Sequence, residues 1–195
     1  MIIDRVWAMP NKNTFMIPPI RELIDRYSPG GIVVDPFANS SKVASITNDL
    51  DTAYNTDYHL DAFDFLQLFP DGSVDMVLFD PPYSSRQISE CYRAMNKAVN
   101  MQTTQSSFWR RLKEEIQRIV RPGGIAFSCA WNSGGIGRKY GFVPLHIRLV
   151  AHGGCHHDTI IVVEQRTGKP AECNDDERIA ALGKVQVNGC QTRLW

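Results

Sequence analysis

Short apolar runs alternate along this chain with stretches of helical spacing. That alternation predicts strands and helices taking turns, as in a mostly parallel sheet covered on its faces by helices. Ile32-Val33-Val34 follows the Gly30-Gly31 break and predicts one strand. Residues 44–49 predict a second, so the interval after Asp35 has room for only a very short crossover helix. Val74-Asp75-Met76-Val77-Leu78-Phe79 is almost continuously apolar and predicts a buried parallel strand. Over 108–120 the period changes to that of a helix. Leu112, Ile116, Ile119 and Val120 share one face, and Arg110, Arg111, Lys113, Glu114 and Glu115 point outward. Arg121-Pro122-Gly123-Gly124 should stop that helix before a strand over 125–131. Residues 142–151 and 159–165 predict two last strands, joined by a His- and Gly-rich hairpin. Pro18-Pro19 predicts the start of a helix that ends at Tyr27.

Chemistry concentrates where these strands end. Asp80-Pro81-Pro82-Tyr83 follows the most buried strand, and in open α/β sheets ligands bind beyond the carboxyl ends of strands. Each proline fixes its φ and lacks an N–H, so the turn is stiff, and Pro82 pushes Pro81 toward extended geometry. The Asp80 carboxylate and the Pro81 carbonyl could accept the two N–H bonds of a planar exocyclic amine. Acceptors placed off the ring plane favour a tetrahedral nitrogen with a localised lone pair, the kind of fixed-dipole help that catalysis uses. The ring of Tyr83 offers a face for stacking a base.

Asp-Pro-Pro-Tyr is the target-amine motif of the amino-methyltransferases that use S-adenosylmethionine, and over residues 15–164 the chain resembles the small adenine-specific (N6) DNA methyltransferases of phages and prophages. Asp rather than Ser in first place resembles the adenine-N6 branch. The resemblance implies a Rossmann-like class I methyltransferase fold, α/β, mostly parallel with an antiparallel final strand. It implies that Asp80, Pro81, Pro82 and Tyr83 are catalytic and that S-adenosylmethionine is the cofactor. Asp35-Pro36-Phe37 matches the family's cofactor turn, with Asp35 serving the methionine amino group; Asn39 and Ser40 stand where glycines are usual, and Asn tolerates left-handed backbone. Asp49, with Asp51 as its rival, is placed for the ribose hydroxyls. Asp61 would accept from the cofactor's adenine amine, beside Ala62 and Phe63, while Asp64 starts a helix as its cap or in its first turn. Thr14 and Phe15 match the segment that closes over the methionine end. The motif order is that of the family's gamma-like group, or of its alpha group without the recognition insert, because the interval from Asp35 to Asp80 cannot hold another domain.

The rest of the chain bounds this reading. At 195 residues, 43% hydrophobic, one domain is expected: a catalytic unit over 1–166, with an N-terminal cofactor segment and helix (8–30) and a substrate loop (84–107), then a tail or docking segment over 167–195. Five scattered cysteines suit reduced thiols. With no leader and no long apolar stretch, the expected location is the cytoplasm of a bacterial, archaeal or phage-infected cell, without membrane association. Formal net charge is zero, so any nucleic-acid contact must be local; Arg86, Arg93 and Lys97 after the catalytic turn, and Arg138 and Lys139 in a Gly-rich segment, are the candidates. DNA is the expected partner ahead of RNA, and a homodimer would double the contact surface. Three His and one Cys over 152–157 lack a second ligand pair at usual spacing, so no metal is expected, and His152 and Asp158 can bond across their hairpin. The competing readings are an RNA adenine-N6 enzyme, a DNA cytosine-N4 enzyme, and a catalytically silent partner subunit.

Overall fold

The computed structural model describes residues 1–94, 107–154 and 156–168. Among them seven strands form one sheet: β1 (Ile2–Trp7), β2 (Val33–Asp35), β3 (Ile46–Thr47), β4 (Val74–Phe79), β5 (Val120–Ala130), β6 (Phe142–Ala151) and β7 (Thr159–Arg166). Their order is β1-β6-β7-β5-β4-β2-β3. β7 runs antiparallel to both β5 and β6, and the other pairings are parallel. The described helices are α1 (Pro18–Tyr27), α2 (Ala62–Gln67), α3 (Ser85–Ala94) and α4 (Ser107–Ile119). This is the Rossmann-like methyltransferase architecture with its antiparallel last strand.

Two apolar layers sandwich the sheet. On one face α2 and α4 cover β4 and β5: Phe108, Leu112, Ile116 and Ile119 of α4 meet Phe65, Leu66, Val77, Phe79 and Ala126. On the other, Ile20, Leu23 and Ile24 of α1 cover Met76, Leu78, Phe127, Ile161 and Val163. Full burial of side chains this size contributes about 1.5–3 kcal/mol each, so these two stripes hold the helices on. Arg118, near the end of α4, donates to the Phe69 and Leu66 carbonyls at 2.7 and 3.2 Å, tying α4 to the chain at and after the end of α2.

Four details depart from the sequence expectations. No helix lies among the residues between β2 and β3; turns make the crossover, and Asn39 takes φ 49° there. The second strand is only Ile46–Thr47, after which Asn48 makes a bridge to Tyr58. Pro122-Gly123-Gly124 does not separate α4 from the next strand: β5 begins at Val120 and passes through it, with a register shift against β4 between Val74 and Met76. The fourth is β1, which the apolar pattern did not reveal. Its Asp4 takes a two-pronged bond from the buried Arg148 of β6, at 2.8 and 2.7 Å, and Arg148 also donates to the Pro19 carbonyl of α1. That guanidinium holds the Asp4 carboxyl below its usual range. The pair ties strand, sheet and helix at one point.

The switch point of the sheet lies between β2 and β4. From β2 the chain goes to β3 on one side and returns to β4 on the other, which leaves a crevice at the carboxyl ends of β2 and β4. Asp75 fixes the opposite end. Its carboxylate accepts from the Ile32 N–H at 2.7 Å and from Arg121 at 2.6 Å. Gly31 sits against it with φ +82°, and a Cβ there would lie 2.1 Å from an Asp75 oxygen. Gly31→Ala should therefore destabilise the protein by about 1–3 kcal/mol, from a strained φ and a clash in the same place. Urea denaturation checks this; an unchanged midpoint would mean that Gly31 is not a packing constraint.

Candidate active site

The crevice holds two cavities with one wall in common. The first, of about 530 Å³, is lined by Thr14, Pro36, Phe37, Asp49, Asp61 and Asp80 among others, and α3 closes it with Gln87, Ile88, Cys91 and Tyr92. The second, of about 360 Å³, lies between β5 and α4 and is lined by Phe79, Trp109, Ser128 and Trp131 among others. Pro81 and Tyr83 belong to both. A turn of two prolines is a stiff partition, and the carbonyl of Pro82 is pinned by the Trp109 indole N–H at 3.1 Å.

Asp35 closes β2 and is fully buried. One carboxylate oxygen accepts from the Phe37 N–H at 2.9 Å. The other has no hydrogen-bond partner among the described residues. Burial pushes its pKa well up, and the nearby Asp80 and Asp49 push the same way. An unpaired buried carboxylate oxygen is costly, and a cationic ligand would supply its missing partner.

Asp49 lies on the wall of the first cavity. Its two oxygens accept from the Asn39 N–H at 2.8 Å and the Asp51 N–H at 2.9 Å. Burial raises its pKa against those bonds. Asp51 lines the same cavity and accepts from the Ala53 N–H, so both acids considered for this position reach it. Asp61 is the cap of α2, accepting from the Phe63 N–H at 3.0 Å, and Asp64 lies in the first turn. The other Asp61 oxygen accepts from the Tyr92 hydroxyl at 2.7 Å. Ala62 lines the cavity, whereas Phe63 carries the Arg111 guanidinium 3.8 Å over its ring. Thr14 stands on the cavity wall, while its neighbour Phe15 is buried edge-on against Phe127, 6.1 Å between centroids.

Asp80 is the hub of the partition. It accepts from the Tyr83 hydroxyl at 2.5 Å and from the Thr14 side chain. Burial raises its pKa, and both hydrogen bonds oppose the rise. The Tyr83 ring meets Trp131 edge-on at 5.4 Å, and Trp131 leans on His157 at 4.8 Å. Tyr83 is thus braced at its hydroxyl and its edge. The sequence reading of Tyr83 as a stacking face had no signal for that hydroxyl bond, which depends on the turn's curvature.

The basic candidates lie outside these walls. Arg86 pairs with Glu90 at 2.7 Å on the exposed side of α3, Arg93 sits in its last turn, and Arg138 and Lys139 are exposed in a short 3-10 turn. Lys97 and residues 169–195 fall outside the described residues, as does Cys155. His152 is buried, with its ring nitrogens on the Ala8 carbonyl and the Thr159 hydroxyl and its N–H on Asp158; this brace crosses the hairpin as expected. Sequence reasoning missed Tyr92, which holds Asp61, and Glu164. The latter is a buried carboxylate on β7 that accepts from the Ile136 and Gly137 N–H groups and so shapes the Gly-rich segment. No local pattern marks either residue.

No protein-family model matches the sequence, and neither does any curated protein. Solved structures share the fold. TrmN from Thermus thermophilus superposes with a TM-score of 0.51 at 18% identity, over 77% of this chain and 49% of its own, so this chain spans about half its length. The 1,6-didemethyltoxoflavin-N1-methyltransferase of Burkholderia thailandensis, solved with 1,6-didemethyltoxoflavin and S-adenosylhomocysteine, gives 0.52 at 12% identity over 80% of both chains. No helix among the described residues is long and apolar enough to cross a membrane.

The Asp80–Tyr83 bond makes the hydroxyl of Tyr83 more than a spectator. Tyr83→Phe should lower turnover roughly five- to thirtyfold through the loss of a hydrogen bond to a charged acceptor, on the order of 1–2 kcal/mol, with little change in fold stability. Single-turnover kinetics with parallel thermal melts check this. A Phe variant as fast as the parent would return the whole role of Tyr83 to its ring.

Proposed function

We propose that residues 1–166 form a catalytic unit that transfers a methyl group from S-adenosylmethionine to the N6 amine of adenine in DNA. The observation that carries this reading is the shared wall: the Asp80–Tyr83 turn stands between a cavity rich in carboxylates and a second one lined with aromatic rings. A two-substrate transfer needs a donor and an acceptor held on either side of one set of polar groups.

The donor side fits the cofactor. The unpaired oxygen of the buried Asp35 suits an ammonium group, Asp49 suits a pair of ribose hydroxyls, and Asp61 with Ala62 suits an adenine edge. When bound, S-adenosylmethionine supplies a methyl group on a positively charged sulfur, which needs no activation by the protein. The chain's own work falls on the acceptor. Asp80 and the Pro81 carbonyl accept from the two N–H bonds of the target amine and localise its lone pair. Thr14 and Tyr83 hold the Asp80 carboxylate for that task. No general base is required before transfer, because the cationic product amine sheds its proton readily. A base paired in a duplex cannot reach such a turn, so it must be flipped out or met single-stranded. The Asp in the first position of the motif favours adenine over cytosine, and Arg86, Arg93, Lys97, Arg138 and Lys139 remain the candidates for phosphate contact.

The deciding assay incubates the protein with methyl-labelled cofactor and separate DNA, RNA and protein acceptors, then digests and identifies the modified nucleoside. N6-methyladenine in DNA is the expected product; label in N4-methylcytosine, in RNA or in no acceptor would displace the proposal. Asp80→Ala should leave cofactor affinity nearly intact and slow turnover by roughly a hundredfold or more, the usual effect of removing a fixed transition-state partner. Equal losses in both would make Asp80 structural.

Asp35 gives a pH test. Its folded pKa is raised, so the empty protein gains stability as pH falls through that value and the carboxyl takes up its proton. Cofactor binding needs the ionised form and should weaken over the same descent, above the ordinary carboxylate range near about 4. Calorimetry between pH 5 and 8 should show this slope, and Asp35→Asn should bind weakly and without it. The same slope in the variant would assign the titration to Asp49 or Asp80.

A further inference from the structure

Three buried side-chain polar atoms among the described residues have no hydrogen-bond partner: an Asp35 oxygen, His146 Nε2 and the Ser128 hydroxyl. The first lies behind Pro36 and Phe37 of the first cavity's wall and is assigned above to the cofactor, and the second faces the Asp4 carboxylate at 3.2 Å. Ser128 is left without a role. It lies on β5 beside Phe79 of β4, is 3% exposed, and lines the second cavity. A hydroxyl stripped of water and given no partner is unfavourable, and alanine would fill the same place without that cost.

Two other polar side chains of this wall have partners. Lys113 donates to the Gly135 carbonyl and faces the buried Glu164, and the Asn132 side-chain oxygen accepts from the Gly134 N–H. The remaining wall includes Trp109, Ala130, Trp131 and Val162. A cavity of this size with an apolar, aromatic lining and one unengaged hydroxyl suits a flat heteroaromatic ring with a polar edge. Pro81 and Tyr83 line the same cavity as Ser128. Asp80 and the Pro81 carbonyl are acceptors for an amine, and the atom next to such an amine on an aminopurine or aminopyrimidine ring is a nitrogen that needs a donor.

We infer that Ser128 is a specificity residue of the acceptor cavity: its hydroxyl donates to the ring nitrogen adjacent to the target amine, while Trp131 supplies the stacking face. Trp131 is 43% exposed, and its contacts with Tyr83 and His157 hold it at the cavity mouth. This rests on the second cavity being the acceptor side.

The test measures nucleoside binding to the protein loaded with S-adenosylhomocysteine, by quenching of tryptophan fluorescence. Adenosine is compared with 1-deazaadenosine, which keeps the amine and replaces the neighbouring ring nitrogen by CH. The parent should prefer adenosine by about tenfold, the worth of one hydrogen bond to a buried group. Ser128→Ala should bind both equally, at the weaker level, with unchanged affinity for S-adenosylhomocysteine and a higher melting temperature. Trp131→Ala should weaken both nucleosides alike. A Ser128→Ala protein that still prefers adenosine, or that melts lower, overturns the inference, as does a parent that does not discriminate. The labelled-acceptor assay separates the two readings: transfer to DNA adenine with unchanged kinetics in Ser128→Ala sinks this inference alone. A parent that labels no nucleic acid sinks the functional proposal, while nucleoside discrimination still reports on Ser128.

Discussion

Two buried carboxylates at the ends of adjacent parallel strands are the constraint on which the rest of this molecule turns. Asp35 ends β2 and Asp80 follows β4, and the charge of Asp80 raises the cost of ionising Asp35 further. A fold that put them there for stability alone would be a poor one, since burying like charges together is unfavourable. Among the described residues, Asp80 is compensated by two hydroxyl donors while one oxygen of Asp35 has no partner. That asymmetry separates the two roles. Asp80 is a finished group whose position is set before any ligand arrives, whereas Asp35 is completed only by something brought from outside.

Residue identity announced the parts of the fold in which neighbours in sequence carry the pattern. The unbroken run Val74–Phe79 and the stripe Phe108, Leu112, Ile116 and Ile119 each bury their own local periodicity, and both lie where the pattern places them. β1 escaped because its stability is not local. Its partner β6 lies near the other end of the chain, and Asp4 interrupts the apolar alternation on the face that Arg148 meets. The Pro122-Gly123-Gly124 step escaped for a different reason: a stop signal for a helix is also compatible with a bulged strand once β4 and β7 lie on either side to pair it.

The site divides along the same line. Acids and turn residues at strand ends could be placed from sequence because a strand end is a local event. Tyr92 holding Asp61, the Tyr83 hydroxyl on Asp80, Glu164 behind the Gly-rich segment and the bare hydroxyl of Ser128 all depend on elements brought together by the sheet. None has a spacing signature. The Phe15 ring shows the reverse error of proximity: it adjoins Thr14 in sequence, yet the 3-10 turn over Thr14–Met16 sends one side chain to the cavity and the other to the core.

Charge placement decides where a chain of zero net charge shows a basic surface. The acids at and behind the first cavity are partly silenced by burial, which raises the pKa of Asp35, Asp49 and Asp80 together. Glu164 is likewise buried, bound to backbone N–H groups and faced by Lys113. Its two hydrogen bonds set the Gly-rich segment, and Gly135 must lack a side chain because a Cβ there would lie 2.3 Å from a Glu164 oxygen. The exposed Arg138 and Lys139 follow directly on that anchored segment, next to the wall of the second cavity. Arg86 shares its charge with Glu90 in an exposed pair, which water screens and which therefore holds it only weakly. A buried acid thus sets the root of one basic cluster beside the second cavity, so the local sign of charge there is decided by what the fold hides as much as by what it displays.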